Sequence, residues 1–483
     1  YINNFLNHFL IDSLHKMMYN INCLKCLGIY QRELIMKLNI KKGITYPKIV
    51  AFGFFILIAA GTILLLLPIS SRQEGSTGLT DALFTATSAS CVTGLVVADT
   101  YTHWTLFGQI VIICLIQIGG LGFLTILTMF SMLFHRKIGL KERSLLQESV
   151  NTMYIGGIVR LIKKILTGTF IIEFIGAVLL ATRFIPKMGI GIGIYNSIFT
   201  SISAFCNAGF DLMGRYEEYS SLTMFREDIV VNITVVALIL IGGIGFFVWD
   251  DISVNKHHIT KYQLHTKLVL IATGILVIFG TAAFYILENG NELKDLPIHH
   301  KISSSMFMAV TPRTAGFNTV DVASMNPASK MLTIIFMFIG GNSGSTAGGI
   351  KTTTAMILIL SVWASLRNNN GINVMKRRLE SDALKRAASV VTINISLIII
   401  CELLICASQP ELDLTDVTIE VFSAIDTVGM STGVTRDLNT FSRYIIVFLM
   451  YCGRVGSLSF ALLFTEQKAP NIVQNPVEKI NIG

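Results

Sequence analysis

Four short segments of this chain repeat one another, and each is centred on a glycine. They are Ser90-Cys-Val-Thr-Gly94-Leu, Phe205-Cys-Asn-Ala-Gly209-Phe, Pro312-Arg-Thr-Ala-Gly316-Phe and Ile425-Asp-Thr-Val-Gly429-Met. The glycines lie 115, 107 and 113 residues apart, and a large apolar residue follows each one. A second marker comes 24 to 33 residues later in every copy: Ile118-Gly-Gly-Leu-Gly-Phe123, Ile241-Gly-Gly-Ile-Gly-Phe246, Ile339-Gly-Gly-Asn-Ser-Gly344 and Cys452-Gly-Arg-Val-Gly-Ser457. Two markers in the same order, four times over, imply four copies of one supersecondary unit.

The environment of that unit follows from composition. Of 483 residues 52% are hydrophobic and only 14% charged, where a soluble domain carries about 25% charged residues. Ile49 to Leu67 is a 19-residue apolar run, close to the roughly 20 that a spanning helix needs. Similar runs occupy 104–134, 165–182, 229–249, 268–287, 331–339, 355–363, 388–407 and 444–464. The stretches before the four repeated glycines, 79–90, 194–205, 304–311 and 415–424, are moderately apolar but too short to span. Each repeat therefore reads as a spanning helix (M1), a re-entrant pore half-helix, an extended glycine segment and a second spanning helix (M2). The expected fold is an all-α polytopic membrane protein with four M1–pore helix–M2 repeats around a pseudo-fourfold, single-chain pore. The boundaries read as 47–134, 135–250, 251–365 and 366–466. They are flanked by an amphipathic lead-in over 1–46, which lacks the features of a signal peptide, and a tail over 467–483.

The net charge of +8 reads as topology. With both termini and the loops 135–164, 250–267 and 366–386 inside, the inside segments hold 25 Lys and Arg against 10 acids, and the outside segments 11 against 18. This is the positive-inside asymmetry, expected of a plasma-membrane protein with cytoplasmic termini. It leaves no excess that calls for nucleic acid. Cys23-Leu-Lys-Cys26 is a lone pair, weak as a metal or redox site.

Bare backbone at membrane depth is tolerated where it lines a watery cavity. Rings of backbone carbonyls replace the water of a monovalent cation without a full charge that would trap it, and glycine permits the positive φ such a backbone can require. The carbonyls of Val92, Thr93, Gly94, Asn207, Ala208, Gly209, Thr314, Ala315, Gly316, Thr427, Val428 and Gly429 are the candidate ligands, with K⁺ at the filter. Three residues before each glycine stand Cys91, Cys206, Arg313 and Asp426. One acid and one base do not make the acidic ring of a divalent-cation pore. Arg313 and Asp426 are expected either to pair beside the filter or each to face the outer vestibule.

The second helix of the third repeat is interrupted by Gly340-Gly-Asn-Ser-Gly-Ser-Thr-Ala-Gly-Gly349, which cannot be a firm helix because each Gly costs roughly 1 kcal/mol against Ala. Gly341, Asn342, Ser343, Gly344, Ser345, Thr346, Ala347, Gly348 and Gly349, with Lys351, form a candidate gate below the filter; packing alone is the other reading. Arg454, mid-run in the last helix, costs about 2.5–3.5 kcal/mol on insertion scales. It is expected to face the pore or to pair with Glu173 or Glu402, and Lys351 carries the same two readings.

These motifs resemble the KtrB/TrkH/HKT superfamily of potassium transporters, in particular its KtrB-type membrane subunit. The resemblance covers about residues 47–466. It rests on VTGL at 92–95, NAGF at 207–210, TAGF at 314–317, VGMSTG at 428–433 and the glycine-rich segment ending at Lys351. It implies K⁺ uptake, an intramembrane gating loop, Arg454 beneath the filter and a homodimer. It also implies a cytoplasmic nucleotide-binding regulator, a KtrA/TrkA-like ring, on the inner loops. K⁺ is then the cargo and Na⁺ a candidate activator. No P-loop, dinucleotide fingerprint or HExxH motif occurs in the sequence, so no organic cofactor and no enzymatic activity are expected. The alternatives are a Na⁺- or H⁺-coupled K⁺ symporter and the channel-like subunit of a K⁺ pump.

Overall fold

A computed structural model describes residues 46–72, 77–122, 157–368 and 371–462, with isolated positions at 125–132 and at 478. The lead-in with its cysteine pair, most of the loop 135–164 and nearly all of the tail lie outside the described residues. The chain divides into two compact units after Ile49. The first unit contributes only the opening turn of the first helix to the described residues, so the account below concerns 50–483.

The helices follow the expected order. α1 (Tyr46–Leu66), the half-helix α2 (Leu79–Cys91) and α3 (Leu106–Leu121) make the first copy. α4 (Ile158–Met188), half-helix α5 (Ile190–Cys206), α6 (Ile229–Gly243) and α7 (Phe246–Asn255) make the second. α8 (Leu264–Glu288), half-helix α9 (Ile298–Val310), α10 (Pro327–Phe338) and α11 (Thr352–Leu366) make the third. α12 (Ser381–Ser408), half-helix α13 (Leu414–Ile425), α14 (Thr440–Val455) and α15 (Ser457–Ala461) make the fourth. A two-residue hairpin, β1 (Asn373–Val374) against β2 (Arg377–Arg378), decorates the loop between α11 and α12.

Four helices, 47–66, 158–188, 264–288 and 382–408, are long and apolar enough to cross a membrane. These are the first helices of the four copies, and they present apolar side chains outward: Phe55, Phe174, Ile278 and Leu403 are all exposed, as lipid-facing residues are. The second helices are shorter than their hydropathy runs suggest. α3 has 16 residues, α6 15, α10 12 and α14 16, and about 20 are needed to span. Each stops at the second marker. Gly122, Gly245 and Gly456 adopt φ of 82°, 102° and 90°, and α7 leaves α6 at 93°. The break expected in the third copy alone thus recurs in the others, because a glycine in a conformation closed to other residues ends the helix there.

The core lies where the half-helices meet. Phe84, Phe205, Phe307 and Ile425 are fully buried. Ion pairs tie the copies together on the half-helix side: Arg443 to Asp81 at 2.7 Å, Arg226 to Glu292 at 3.6 Å and Lys330 to Asp416 at 3.5 Å.

Candidate functional site: a ring of four glycines

Each half-helix ends by turning its next N–H groups back on itself. Thr93 N, Ala208 N and Val428 N each donate to the carbonyl of Ser88, Ser203 and Ser423 at 2.8 Å, and Ala315 N donates to Thr311 at 3.0 Å. The Ser88 and Ser423 hydroxyls also accept from Gly94 N and Gly429 N at 3.0 Å. These bonds require a left-handed residue two places before each glycine: Val92, Asn207, Thr314 and Thr427 have φ of 59°, 60°, 71° and 51°. Such a conformation is unusual for β-branched side chains, and it recurs at all four corners. With the N–H groups committed, the carbonyls are left for the other side.

The four corners close a ring. A methyl group on Gly94 would lie 2.4 Å from Ala208 O, one on Gly209 2.8 Å from Ala315 O, one on Gly316 2.5 Å from Val428 O, and one on Gly429 2.2 Å from Thr93 O. Each glycine therefore abuts the carbonyl preceding the glycine of the next copy, and the fourth returns to the first. The glycines themselves have φ of 98°, 70°, 76° and 92°. Among the described residues no cluster of three or more His, Cys, Asp or Glu side chains forms a metal site.

The second-marker glycines seat the half-helices. A methyl on Gly119, Gly242 or Gly453 would lie 1.9–2.0 Å from the carbonyl of Ser90, Phe205 or Ile425, each four residues before a ring glycine. The third copy departs from this, since Gly340 faces Ile350 O at 3.0 Å.

Arg313 and Asp426 do not pair, and both are buried. Asp426 accepts from Ile350 N at 3.3 Å and stands against Gly349, so it faces the interrupted segment rather than an outer vestibule. Arg313 borders a small cavity with Gly243, Thr273, Gly341 and Asn342. Asp426 caps the end of α13, and Arg313 lies in the turn that follows α9.

The interrupted segment is held from several sides. Asn342 N and its side-chain amide donate to Gly243 O at 3.0 and 3.1 Å. Thr346 donates through its hydroxyl to Phe205 O at 3.2 Å, and Phe246 N donates to Gly344 O at 2.8 Å. Lys351 Nζ caps Ala347 O and Gly348 O, both at 2.9 Å. Arg454 donates to Thr346 O at 2.5 Å, to Gly120 O at 3.1 Å and to Gly119 O. The expected ion pairs do not form: Glu173 is taken by Gln117 Nε2 at 3.0 Å and Glu402 by the Thr418 hydroxyl. Carbonyls satisfy Arg454 and Lys351 because the interrupted segment and the end of α3 present them in number.

The spacing missed Ser88, Ser203, Thr311 and Ser423. The signal was there: a hydroxyl six residues before three of the glycines and five before the fourth.

The TrkH family model, described as a cation transport protein, matches residues 15–474. The chain belongs to the TrkH cation transport family. Within it, the chain is 40% identical over 455 residues to the potassium/sodium uptake protein NtpJ of Enterococcus hirae, covering 93% of this chain and 100% of that one. It is 42% identical over 432 residues to the Ktr system potassium uptake protein B of Bacillus subtilis, covering 89% and 95%. Among solved structures it is similar to the potassium transporter TrkH of Vibrio parahaemolyticus, with a TM-score of 0.71, 18% identity, and coverage of 88% and 86%. That likeness carries the fold of this TrkH-family chain, a multi-pass helical membrane protein.

Proposed function

We propose that this TrkH-family chain takes up K⁺ across the plasma membrane through the ring of Gly94, Gly209, Gly316 and Gly429, without enzymatic chemistry of its own. The observation that carries the reading is the closed contact cycle of the four glycines, in which a carbonyl of each copy lies against the glycine of its neighbour. The carbonyls of Val92–Gly94, Asn207–Gly209, Thr314–Gly316 and Thr427–Gly429 replace the hydration shell of the ion. The names of the relatives, potassium uptake in Bacillus subtilis and potassium/sodium uptake in Enterococcus hirae, support K⁺ as cargo and keep Na⁺ as activator or co-substrate.

In this reading Gly341–Gly349, closed by Lys351 and Arg454, gates the path below the filter. The charge asymmetry supports cytoplasmic termini, and the spacing of the four glycine segments supports repeat boundaries at 47–134, 135–250, 251–365 and 366–466. The "Ktr system" in the name of one relative supports further subunits. A homodimer and a cytoplasmic nucleotide-binding regulator docking on the inner loops are the proposed partners.

The test is growth of a K⁺-uptake-deficient bacterium on low external K⁺, with and without Na⁺. Rescue by the full chain at low K⁺ is expected. Rescue only with Na⁺ present would favour the coupled symporter, and no rescue with normal membrane insertion would overturn the reading.

A further inference from the structure

A groove with a cavity of about 490 Å³ lies between the basic end of α4 and α7, outside the proposed ion path. It exists because the chain turns by 93° after α6. If α6 runs along the membrane normal, α7 lies almost in the membrane plane, against the first turns of α4. Gly168 of α4 has no side chain to fill the space, and a methyl there would lie 3.2 Å from the Trp249 ring. The indole therefore rests on α4, its Nε1 donating to Ile241 O at 3.0 Å. An amphipathic ring so placed suits a membrane–water interface.

Chemistry divides along this groove. Its wall is apolar around Phe246, Trp249 and Gly168, and its mouth carries Arg160, Lys163 and Lys164. Lys164 is occupied, donating to Asp250 at 2.9 Å and Ser253 at 3.3 Å. Arg160 and Lys163 are exposed, and among the described residues neither has a carboxylate within ion-pair distance. Two cations with no carboxylate partner among the described residues thus stand above an apolar wall, on the side that the proposed orientation makes cytoplasmic. Basic pockets between helices on that side bind anionic head groups, and the volume falls in the range of ligand pockets.

The wall also touches the gate segment. Phe246 N donates to Gly344 O at 2.8 Å. Trp249 packs on Phe205 at 5.8 Å between ring centroids, and Phe205 O accepts the Thr346 hydroxyl.

We propose that this groove holds an anionic phospholipid of the inner leaflet, with its phosphate on Arg160 and Lys163 and an acyl chain along Trp249, and that its occupancy biases the Gly341–Gly349 segment through α7. The coupling rests on the gate reading above; the lipid assignment does not.

Native mass spectrometry of the full chain in detergent, titrated with phosphatidylglycerol, reads occupancy without any flux. The wild type retains the lipid. Arg160→Gln with Lys163→Gln retains it about 30-fold less tightly, and Lys163→Gln alone about fivefold less tightly. The single variant, at an exposed position, serves if the double variant fails to fold. Equal retention by wild type and variants overturns the assignment. Displacement of the lipid by millimolar inorganic phosphate overturns it in favour of a free-anion site. K⁺ flux into vesicles then tests the coupling, comparing phosphatidylcholine alone with a mixture containing phosphatidylglycerol. The wild type changes its flux between the two severalfold more than the double variant does, because vesicle surface charge acts on both alike. Flux equally sensitive in both proteins overturns the coupling, flux absent in every vesicle overturns the uptake reading on which the coupling rests, and either leaves the retention result standing.

Discussion

Arg454, near the end of α14, donates to the carbonyl of Thr346 in the interrupted segment of the third repeat at 2.5 Å. Its other nitrogen reaches Gly119 O and Gly120 O at the end of α3. One guanidinium therefore joins three of the four copies below the glycine ring, through charge-assisted bonds rather than an ion pair. Its fixed fork of donors suits this role, where a lysine would offer a single point charge.

Removing that fork should loosen the segment. A hydrogen bond to a charged group contributes about 1.5–3 kcal/mol, so Arg454→Gln is expected to raise K⁺ flux of the chain without its proposed regulator, by about 10- to 100-fold. Lys351→Gln should do less, because Lys351 bonds only carbonyls of its own loop. Flux measured in vesicles that matches the wild type for both variants would show that neither cation restrains the gate.

The ring glycines should not be equally sensitive to substitution. Gly429 has φ of 92° and leaves a methyl 2.2 Å from Thr93 O, whereas Gly209 has φ of 70° and leaves it 2.8 Å from Ala315 O. Gly429→Ala is expected to abolish selective K⁺ uptake, and Gly209→Ala to retain the largest part of it. The readout is the K⁺ to Na⁺ uptake ratio in cells with matched membrane expression. A reversed order would mean that contacts across the ring do not govern selectivity.

Stability depends on the seat of the half-helices. Gly453→Ala places a methyl 1.9 Å from Ile425 O, backbone that can yield only by shifting α13, and overpacking of this kind costs about 1–3 kcal/mol. Gly274→Ala, in α8, meets nothing within 4 Å and should be neutral or stabilising by about 0.4–1 kcal/mol. Thermal unfolding in detergent separates the two, and equal melting temperatures would refute the seat.

Acidity should matter at the mouth beyond the ring. Asp211 accepts from Met213 N at 2.9 Å, and burial, with the Asp99 carboxylate nearby, pushes its carboxyl up from 3.8 to about 7. Between those values the folded chain keeps a proton that the unfolded chain has released. Stability therefore falls as pH rises through the window and levels off above 7. Asp211→Asn should flatten the slope of melting temperature against pH between 4 and 7. A slope unchanged by the substitution would assign the dependence to other groups.

The ring was legible because its constraint is local and repeated. Only glycine tolerates a close neighbouring carbonyl at positive φ, so Gly94, Gly209, Gly316 and Gly429 had to stand out at four similar intervals. The interrupted third helix was legible for the same reason, ten small residues where a helix should be. The first helices of the four copies announced themselves by length and hydropathy. Less of the second helices was visible. Gly122, Gly245 and Gly456 end their helices in conformations that a hydropathy run does not encode, so α6 and α7 read as one span.

Charged side chains were the least readable. The sequence placed Lys351 and Arg454 inside apolar runs and left Arg313 and Asp426 either beside the filter or at an outer vestibule, but it could not say which partner each takes. Opposite charges at equivalent corners suggested an Arg313–Asp426 pair, and carboxylates on neighbouring helices suggested partners for Arg454. Side-chain partners are chosen by the direction in which each side chain leaves its helix, and that depends on how four helix ends rotate about a common axis. The sequence by itself determined four copies, their order in the membrane and the glycines at the axis, because those follow from local sterics and burial of apolar surface. Only the tertiary structure decided that the copies close head to tail, that carbonyls satisfy Lys351 and Arg454, and that α7 turns aside to leave a basic groove. Each of those depends on atoms brought together from residues far apart in the chain.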